Sequence, residues 1–310
     1  MNRKIKKIIG IVSDSFYFLP KFGMRYSFMY FWSSIVFRKY AYKTRLLALQ
    51  KLEKKFGYIF ENNEKLEPFV FDESQKNIFI FWAQGFEKLP YLQMKVIDQI
   101  RRNYPDFSLR LIDLKNYKNY VSLSQRIESL FEQKKITIQT FSDILRFNLL
   151  NKYGGVWCDA TLLFFGRIPI EQMLSQYGFY SINHKSKEKE FLWGKVYPVT
   201  YTTFFLCATK NNQNMRACVL FYNEYYQKYS HAIDYFMNDY MLILCMKHHI
   251  GDDQLSKIPF NDGSPFYLFN SLEQRGNIEL GELLKCPQKL NWRSIDEDSL
   301  IAFFKVYEGK

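Results

Sequence analysis

The five cysteines, Cys158, Cys207, Cys218, Cys245 and Cys286, share no close pair and no regular spacing. That argues against a cysteine-ligated metal and against a disulfide framework, and with no secretion-peptide pattern at the start a reducing compartment is expected. HExxH, GxSxG, a Walker phosphate loop and GxGxxG are all missing, which weakens metalloprotease, hydrolase, nucleoside triphosphatase and dehydrogenase readings. The longest uncharged run near the amino terminus, Ser27 to Phe37, is too short to span a bilayer as a helix. There is no internal repeat and no low-complexity domain.

What is present is globular in composition: 310 residues, 47% apolar, 24% charged, with 30 Phe and 23 Tyr. A chain of this length buries a real core. The formal net charge of +12 is unevenly spread. Residues 1 to 56 hold thirteen Lys or Arg against Asp14 and Glu53, so the rest is nearly neutral. A nucleic-acid-binding enzyme more often spreads its positive charge around its cleft, and no nucleic acid partner is expected. A basic, aromatic arm suits an anionic membrane surface, with Tyr26, Phe28, Tyr30, Phe31 and Trp32 near headgroups. The same aromatics also suit packing of a helical appendage on the main body.

Residues 41 to 57 read as a helix ended by Gly57, followed by a polar linker. Asn77 to Trp82 is the first strand signal, YLQMKVIDQIRRNYP a helix, FSLRLID a strand and QRIESLFEQKK a helix. The stretch Thr140 to Phe165 adds a helix, a Gly154-Gly155 stop and a strand from Val156. This alternation predicts an α/β sandwich with a largely parallel sheet, in which the loops after Trp82, after Asp113 and around Asp159 converge beyond the strand ends. From Arg167 the chain reads as leaving the sheet through a solvated lysine and glutamate run. VYPVTYTTFFLCATK then reads as a strand, NNQNMRACVLFYNEYYQKYS as a helix, and HAIDYFMNDYMLILCMKHHI as a helix carrying His231, Asp234 and Asp239 near its start. Residues 251 to 310 show loops and strand-like pieces without a usable pattern.

Asp159 is the leading site candidate. A carboxylate between Cys158 and Ala160, just before Leu162 to Phe165, costs several kcal/mol in order of magnitude unless a cation, donor or metal meets it. Thr161, two residues on, offers a neutral oxygen on the same face of a strand. Asp143 reads either as the closing residue of a capping box begun at Thr140 or as a ligand-facing acid, and Arg146 either as its structural partner or as a bidentate donor to hydroxyls or phosphate. Trp82 and Gln84 read either as a stacking ring and a polar contact or as core and turn residues.

Three segments together resemble a known family: Asn77 to Gly85 with Pro90, Phe141-Ser142-Asp143-Ile144-Leu145-Arg146, and Tyr153-Gly154-Gly155-Val156-Trp157-Cys158-Asp159-Ala160-Thr161. They look like the capsular polysaccharide synthesis glycosyltransferases, relatives of the yeast initiating mannosyltransferase and of sugar-transferring clostridial toxins. His231 to Phe236 with Asp239-Tyr240 is similar to a downstream motif of that family. The resemblance implies a GT-A type fold over residues 71–310 behind an amino-terminal arm, residues 1–70. It also implies transfer of a hexose from a nucleotide diphosphate sugar to a glycan acceptor, lipid-linked and at the inner face of the plasma membrane, with retained anomeric configuration. Trp82 and Gln84 would then serve the nucleotide, Asp143 and Arg146 the donor sugar, and Gly154, Gly155 and Asp159 the donor. Mn2+ or Mg2+ would sit on Asp159, Thr161 and Asp239, with Thr161 standing where the family has its last Asp. His231 and Asp234 would meet acceptor or diphosphate. The competing class is a noncatalytic nucleotide-sugar or carbohydrate-binding assembly protein.

Overall fold

The computed structural model describes residues 3–35, 41–61, 70–183, 201–291 and 293–309. The lysine and glutamate run after Asn183 and most of the polar linker lie outside the described residues.

Three helices open the chain: α1 (Arg3–Phe22), α2 (Met24–Ile35) and α3 (Ala41–Phe56). Then β1 (Asn77–Phe81) leads through α4 (Tyr91–Asn103) to β2 (Ser108–Ile112), and α5 (Gln125–Glu132) and α6 (Ile138–Tyr153) precede β3 (Gly155–Cys158). A short β4 (Leu162–Leu163), α7 (Ile170–Tyr177), β5 (Phe179–Asn183), β6 (Tyr201–Ala208) and α8 (Gln213–Lys228) follow. The last part holds α9 (Met237–Lys247), α10 (Ile250–Asp253), α11 (Tyr267–Gln274), α12 (Leu280–Lys285), β7 (Gln288–Lys289) and α13 (Glu297–Glu308).

The main sheet has the order β2-β1-β3-β6-β5. β1 pairs in parallel with both β2 and β3, while β6 runs antiparallel to β3 and β5, so β6 alone is reversed. Every residue of β1, β3 and β5 is buried, which requires cover on both faces, whereas edge strand β2 alternates exposed and half-buried residues. α6 lies against β1, β3 and β6, with α8 packed on it, and α7 lies against β5 and β6. The expected α/β architecture with a mainly parallel sheet is therefore observed.

Three sequence readings change. The segment after Arg167 does not leave the sheet: it forms α7 and returns as the edge strand β5. The helix expected to carry His231 and Asp234 starts only at Met237, so both lie in the loop before α9. Residues 251 to 309 are mainly helical and include β7, which pairs with β4 in a separate two-stranded sheet.

The arm packs on the body through aromatic rings. Tyr26 is fully buried and its hydroxyl donates to the Ile233 carbonyl at 2.6 Å, and the Ser230 amide donates to the Tyr17 hydroxyl at 2.7 Å. Phe56 meets Phe221 and Tyr229 edge-on. The Tyr30 hydroxyl is turned toward Asp14, so Tyr26 and Tyr30 belong to the interior, while Phe28 stays exposed.

Candidate active site

β1 and β3 run in the same direction with Phe79 opposite Trp157, so continuing the register brings Asp159 level with Phe81, at the carboxyl ends of both strands. The Asp159 amide donates to the Phe204 carbonyl of β6 at 2.9 Å, which fixes the bend where the chain leaves β3. Leu162 and Lys289 face each other in the β4–β7 pair. The small sheet thereby delivers Lys289 to Asp159 across 130 residues of sequence.

On the other side stands α6. Its amino-terminal cap is Thr137, whose side chain accepts from the Thr140 amide, so the helix starts before the expected box and Asp143 is not its cap. Asp143 and Arg146, three apart, share one helical face and pair, Nη1 to Oδ1, at 2.9 Å. Arg146 also reaches Asp159, Nη2 to Oδ1, at 3.1 Å. Its guanidinium lies 5.0 Å from the centre of the Trp157 ring, and the Trp157 indole N–H donates to the same Asp159 oxygen at 2.9 Å. Arg146 is thus a buried clamp between two carboxylates.

The second Asp159 oxygen accepts from Lys289 Nζ at 2.7 Å, and the same ammonium donates to Thr161 Oγ1 at 2.7 Å. Asn238, at the start of α9, donates to Asp143 Oδ1 at 3.3 Å and to Thr203 Oγ1 at 2.9 Å. Tyr235 projects from the surface near this cluster. Its hydroxyl is raised, by desolvation first and then by the charges of Asp143 and Asp159.

The two carboxyls are driven apart. Burial pushes Asp143 up to about 7, Arg146 opposes that rise and the charge of Asp159 adds to it. Burial acts upward on Asp159 as well, but Lys289 and Arg146 outweigh it and hold that carboxyl below its ordinary value. One acid stays charged while the other titrates near neutrality.

The other expected site residues separate. Trp82 follows the end of β1, half-buried, its amide donating to Ile112, and Gln84 is exposed in the next turn. Gly85 stands so near the loop after β2 that a Cβ there would lie 3.4 Å from Asp113 Oδ2, so those two loops converge as expected. Gly154 and Gly155 are buried at the amino end of β3, away from Asp159. A Cβ on Gly155 would come within 2.5 Å of the Asn77 carbonyl oxygen, and one on Gly154 within 2.6 Å of the Lys210 amide. Both positions let the backbones of neighbouring segments approach closely.

His231 packs edge-on against Tyr17 of the arm with ring centres 4.5 Å apart, and burial lowers its imidazole. Asp234 caps its own loop by accepting from the Phe236 amide, and its carboxyl is raised by burial. Both serve the seam with the arm and not the Asp159 cluster. Asp239 lies half-buried in the first turn of α9.

A divalent cation at such a site is held by one or two carboxylates together with substrate phosphates and waters, and needs those carboxylate oxygens clear of a competing cation. Here both Asp159 oxygens and Thr161 Oγ1 already accept from the protein's own donors, and among the described residues no three His, Cys, Asp or Glu side chains cluster to hold an ion. The donor set as it stands does not fit a divalent metal. Lys289, Asn238 and Tyr235 were not found from sequence. Trp157 lies inside the stretch Thr140 to Phe165, but only its contact with Arg146 and Asp159 shows what it does.

A family model described as capsular polysaccharide synthesis protein matches residues 29–301. Among curated proteins, glycosyltransferase afumC of Aspergillus fumigatus is 33% identical over 105 residues, covering 31% of this chain and 27% of that protein. O-glycosyltransferase braB of Annulohypoxylon truncatum is 30% identical over 105 residues, covering 31% and 25%. The match thus spans about a quarter of the length of these curated relatives. Among solved structures, the PaToxG glycosyltransferase superposes with a TM-score of 0.39 at 14% identity, over 70% of this chain and 83% of that one.

Proposed function

This chain belongs to the capsular polysaccharide synthesis protein family, and from that membership and the site's geometry we propose that it is a glycosyltransferase moving a sugar from a nucleotide diphosphate sugar to a glycan acceptor. One observation carries the reading: Arg146 clamps Asp143 and Asp159 beyond the carboxyl ends of parallel strands, where α/β sheets bind nucleotides. In this reading the fold is of GT-A type. Asp159 faces the ribose and diphosphate, Asp143 accepts from donor-sugar hydroxyls, and Trp82 lies beside the base.

The reaction must stabilise negative charge growing on the leaving diphosphate while the anomeric carbon becomes cation-like. Arg146 and Lys289 supply fixed positive charge on that side. The acceptor hydroxyl loses its proton to the departing phosphate, and the configuration at the anomeric carbon is retained. A hexose is the expected sugar. Nucleotide release from a panel of nucleotide sugars tests this: Asp159→Ala should lower turnover by about 100-fold or more. Unchanged turnover rejects the site, and tight donor binding without any release by wild type favours a noncatalytic assembly protein.

The arm carries a second proposal, attachment to the anionic inner face of the plasma membrane, where a lipid-linked acceptor is presented. Ile5, Ile8, Ile9, Phe16 and Leu19 recur at helical spacing along α1 and are all exposed, with exposed Lys7 and Arg25 nearby. A cleft of about 690 Å³ between α2 and α3 adds apolar ground at Phe28, Trp32 and Leu46, with Arg25 and Lys43 at its walls. No helix among the described residues is long and apolar enough to cross a membrane. Vesicle co-sedimentation is the measurement.

A further inference from the structure

Thr161 puts a neutral hydroxyl where a second carboxylate would complete a metal site, and the charge that carboxylate would have attracted is already present as Lys289. Its ammonium lies 2.7 Å from Asp159 Oδ2 and 2.7 Å from Thr161 Oγ1. The strand register Leu162 to Lys289 and the bond from the Leu290 amide to the Thr161 carbonyl at 3.0 Å fix the backbone on both sides of it. The Phe204 ring, 5.3 Å away, supports the cation from another direction. The side chain is 20% exposed, so the ammonium is largely enclosed without being sealed from solvent. An ammonium has three N–H donors, and among the described residues two are spoken for, which leaves one for an incoming oxygen.

Charge makes the same point. Replacing Thr161 by an acid would leave two carboxylates around one ammonium and room for a dication. With Thr161, the two carboxylates Asp143 and Asp159 are already matched by Arg146 and Lys289, and a further doubly charged ion would have to sit beside the Lys289 ammonium. A diphosphate oxygen, by contrast, would meet the remaining N–H of Lys289.

We infer that Lys289 is the resident cation of this site, binding the donor's diphosphate in the place of a divalent metal, so that the protein transfers sugar without one. The inference rests on the glycosyltransferase reading above and deepens it. In the step, the bond from the anomeric carbon to the diphosphate oxygen breaks and its electron pair goes to that oxygen. The bond from the anomeric carbon to the acceptor oxygen forms, and the acceptor's proton passes to the leaving diphosphate. Lys289 donates to a phosphate oxygen whose charge grows. Asp159 and Thr161 hold the ammonium in place. The β4–β7 pair exists in this reading to carry that lysine.

The test uses the full chain and a panel of free nucleoside diphosphates (UDP, GDP, ADP and CDP), with binding measured calorimetrically in EDTA and again in Mn2+ or Mg2+. Wild type is expected to bind one of them with an affinity that metal changes by no more than about twofold, and Lys289→Ala to weaken it about tenfold or more, with Lys289→Arg in between. Binding of the bare nucleoside should not change in either variant, a split that a merely structural lysine would not produce. Thermal melts show whether the variants are folded, and the metal comparison on wild type needs no variant at all. A larger gain in wild-type affinity with metal, or Lys289→Ala binding the diphosphate as wild type does, overturns this inference and leaves the transferase reading standing. Failure of wild type to bind any diphosphate overturns both.

Discussion

Asp143 and Asp159 share one guanidinium yet shift to opposite sides of the ordinary carboxyl value, because burial prevails at Asp143, which among the described residues has Asn238 as a further partner, whereas Asp159 has Lys289 and Trp157 in addition to Arg146. The difference has a pH signature. The folded value of Asp143, about 7, lies above its ordinary 3.8, so the folded protein keeps a proton that the unfolded chain releases. Stability therefore falls as pH rises between those two values and stays lower above them. Asp159 lies below its ordinary value, so its stabilising contribution is complete above that value and constant through the same window. Wild type should lose up to a few kcal/mol, in order of magnitude, between about pH 5 and about pH 8 that Asp143→Asn does not lose, read by urea denaturation at each pH. Contributions from other titrating groups, common to both proteins, cancel in the comparison. Equal pH slopes for the two proteins would show that Asp143 is not the buried acid described.

At the scale of elements, the site hangs on how closely β3 can approach β1. Gly155 has φ of 97°, a region that disfavours side chains, and a methyl there would strike the carbonyl oxygens of Asn77 and Gln75, which are backbone and cannot swing aside. Gly155→Ala should cost about 3 kcal/mol or more in chemical denaturation and lower catalysis through displaced Asp159, whereas Thr137→Ala at the α6 cap should cost only about 1 kcal/mol. A near-neutral Gly155→Ala would contradict the packing account. The same elements show why sequence reading stopped short. The sequence offers Thr140 as readily as Thr137 for the cap of α6, because both are threonines ahead of an apolar run and spacing alone does not choose between them. β5, with FYSIN buried on both faces, has no alternation to betray it, and β7 is only two residues long.

For the whole molecule, packing and membrane contact of the arm prove compatible, since α1 has two apolar faces. Phe18 and Phe22 join the core while Ile5, Ile8, Ile9, Phe16 and Leu19 stay outside. Of the aromatics expected at the headgroups, Tyr26 and Tyr30 are committed inward, and Phe28 remains available. Full-length protein should co-sediment with vesicles containing anionic phospholipid and much less with neutral ones. The double change Ile8→Glu and Phe16→Glu should reduce that binding about tenfold or more without lowering the melting temperature, because neither side chain supports the core. Equal recovery of both proteins on both vesicle types would refute the docking face. High salt should weaken the wild-type interaction, as screened charge pairs require.

Local order along the chain was enough to determine the alternation of strands and helices and the glycine stop before β3, and to mark Asp159 as a carboxylate in need of a partner, since a charged group inside an apolar run is conspicuous from its neighbours alone. The partners of that carboxylate were decided only in three dimensions. Lys289 reaches Asp159 because two residues of β7 pair with two residues of β4, and no periodicity in so short a strand announces a contact 130 residues away. Likewise His231 and Asp234 look like site residues in sequence, but the arm covers them and Tyr26 binds the loop between them. Burial and pairing depend on which surfaces meet, and that is a property of the folded chain.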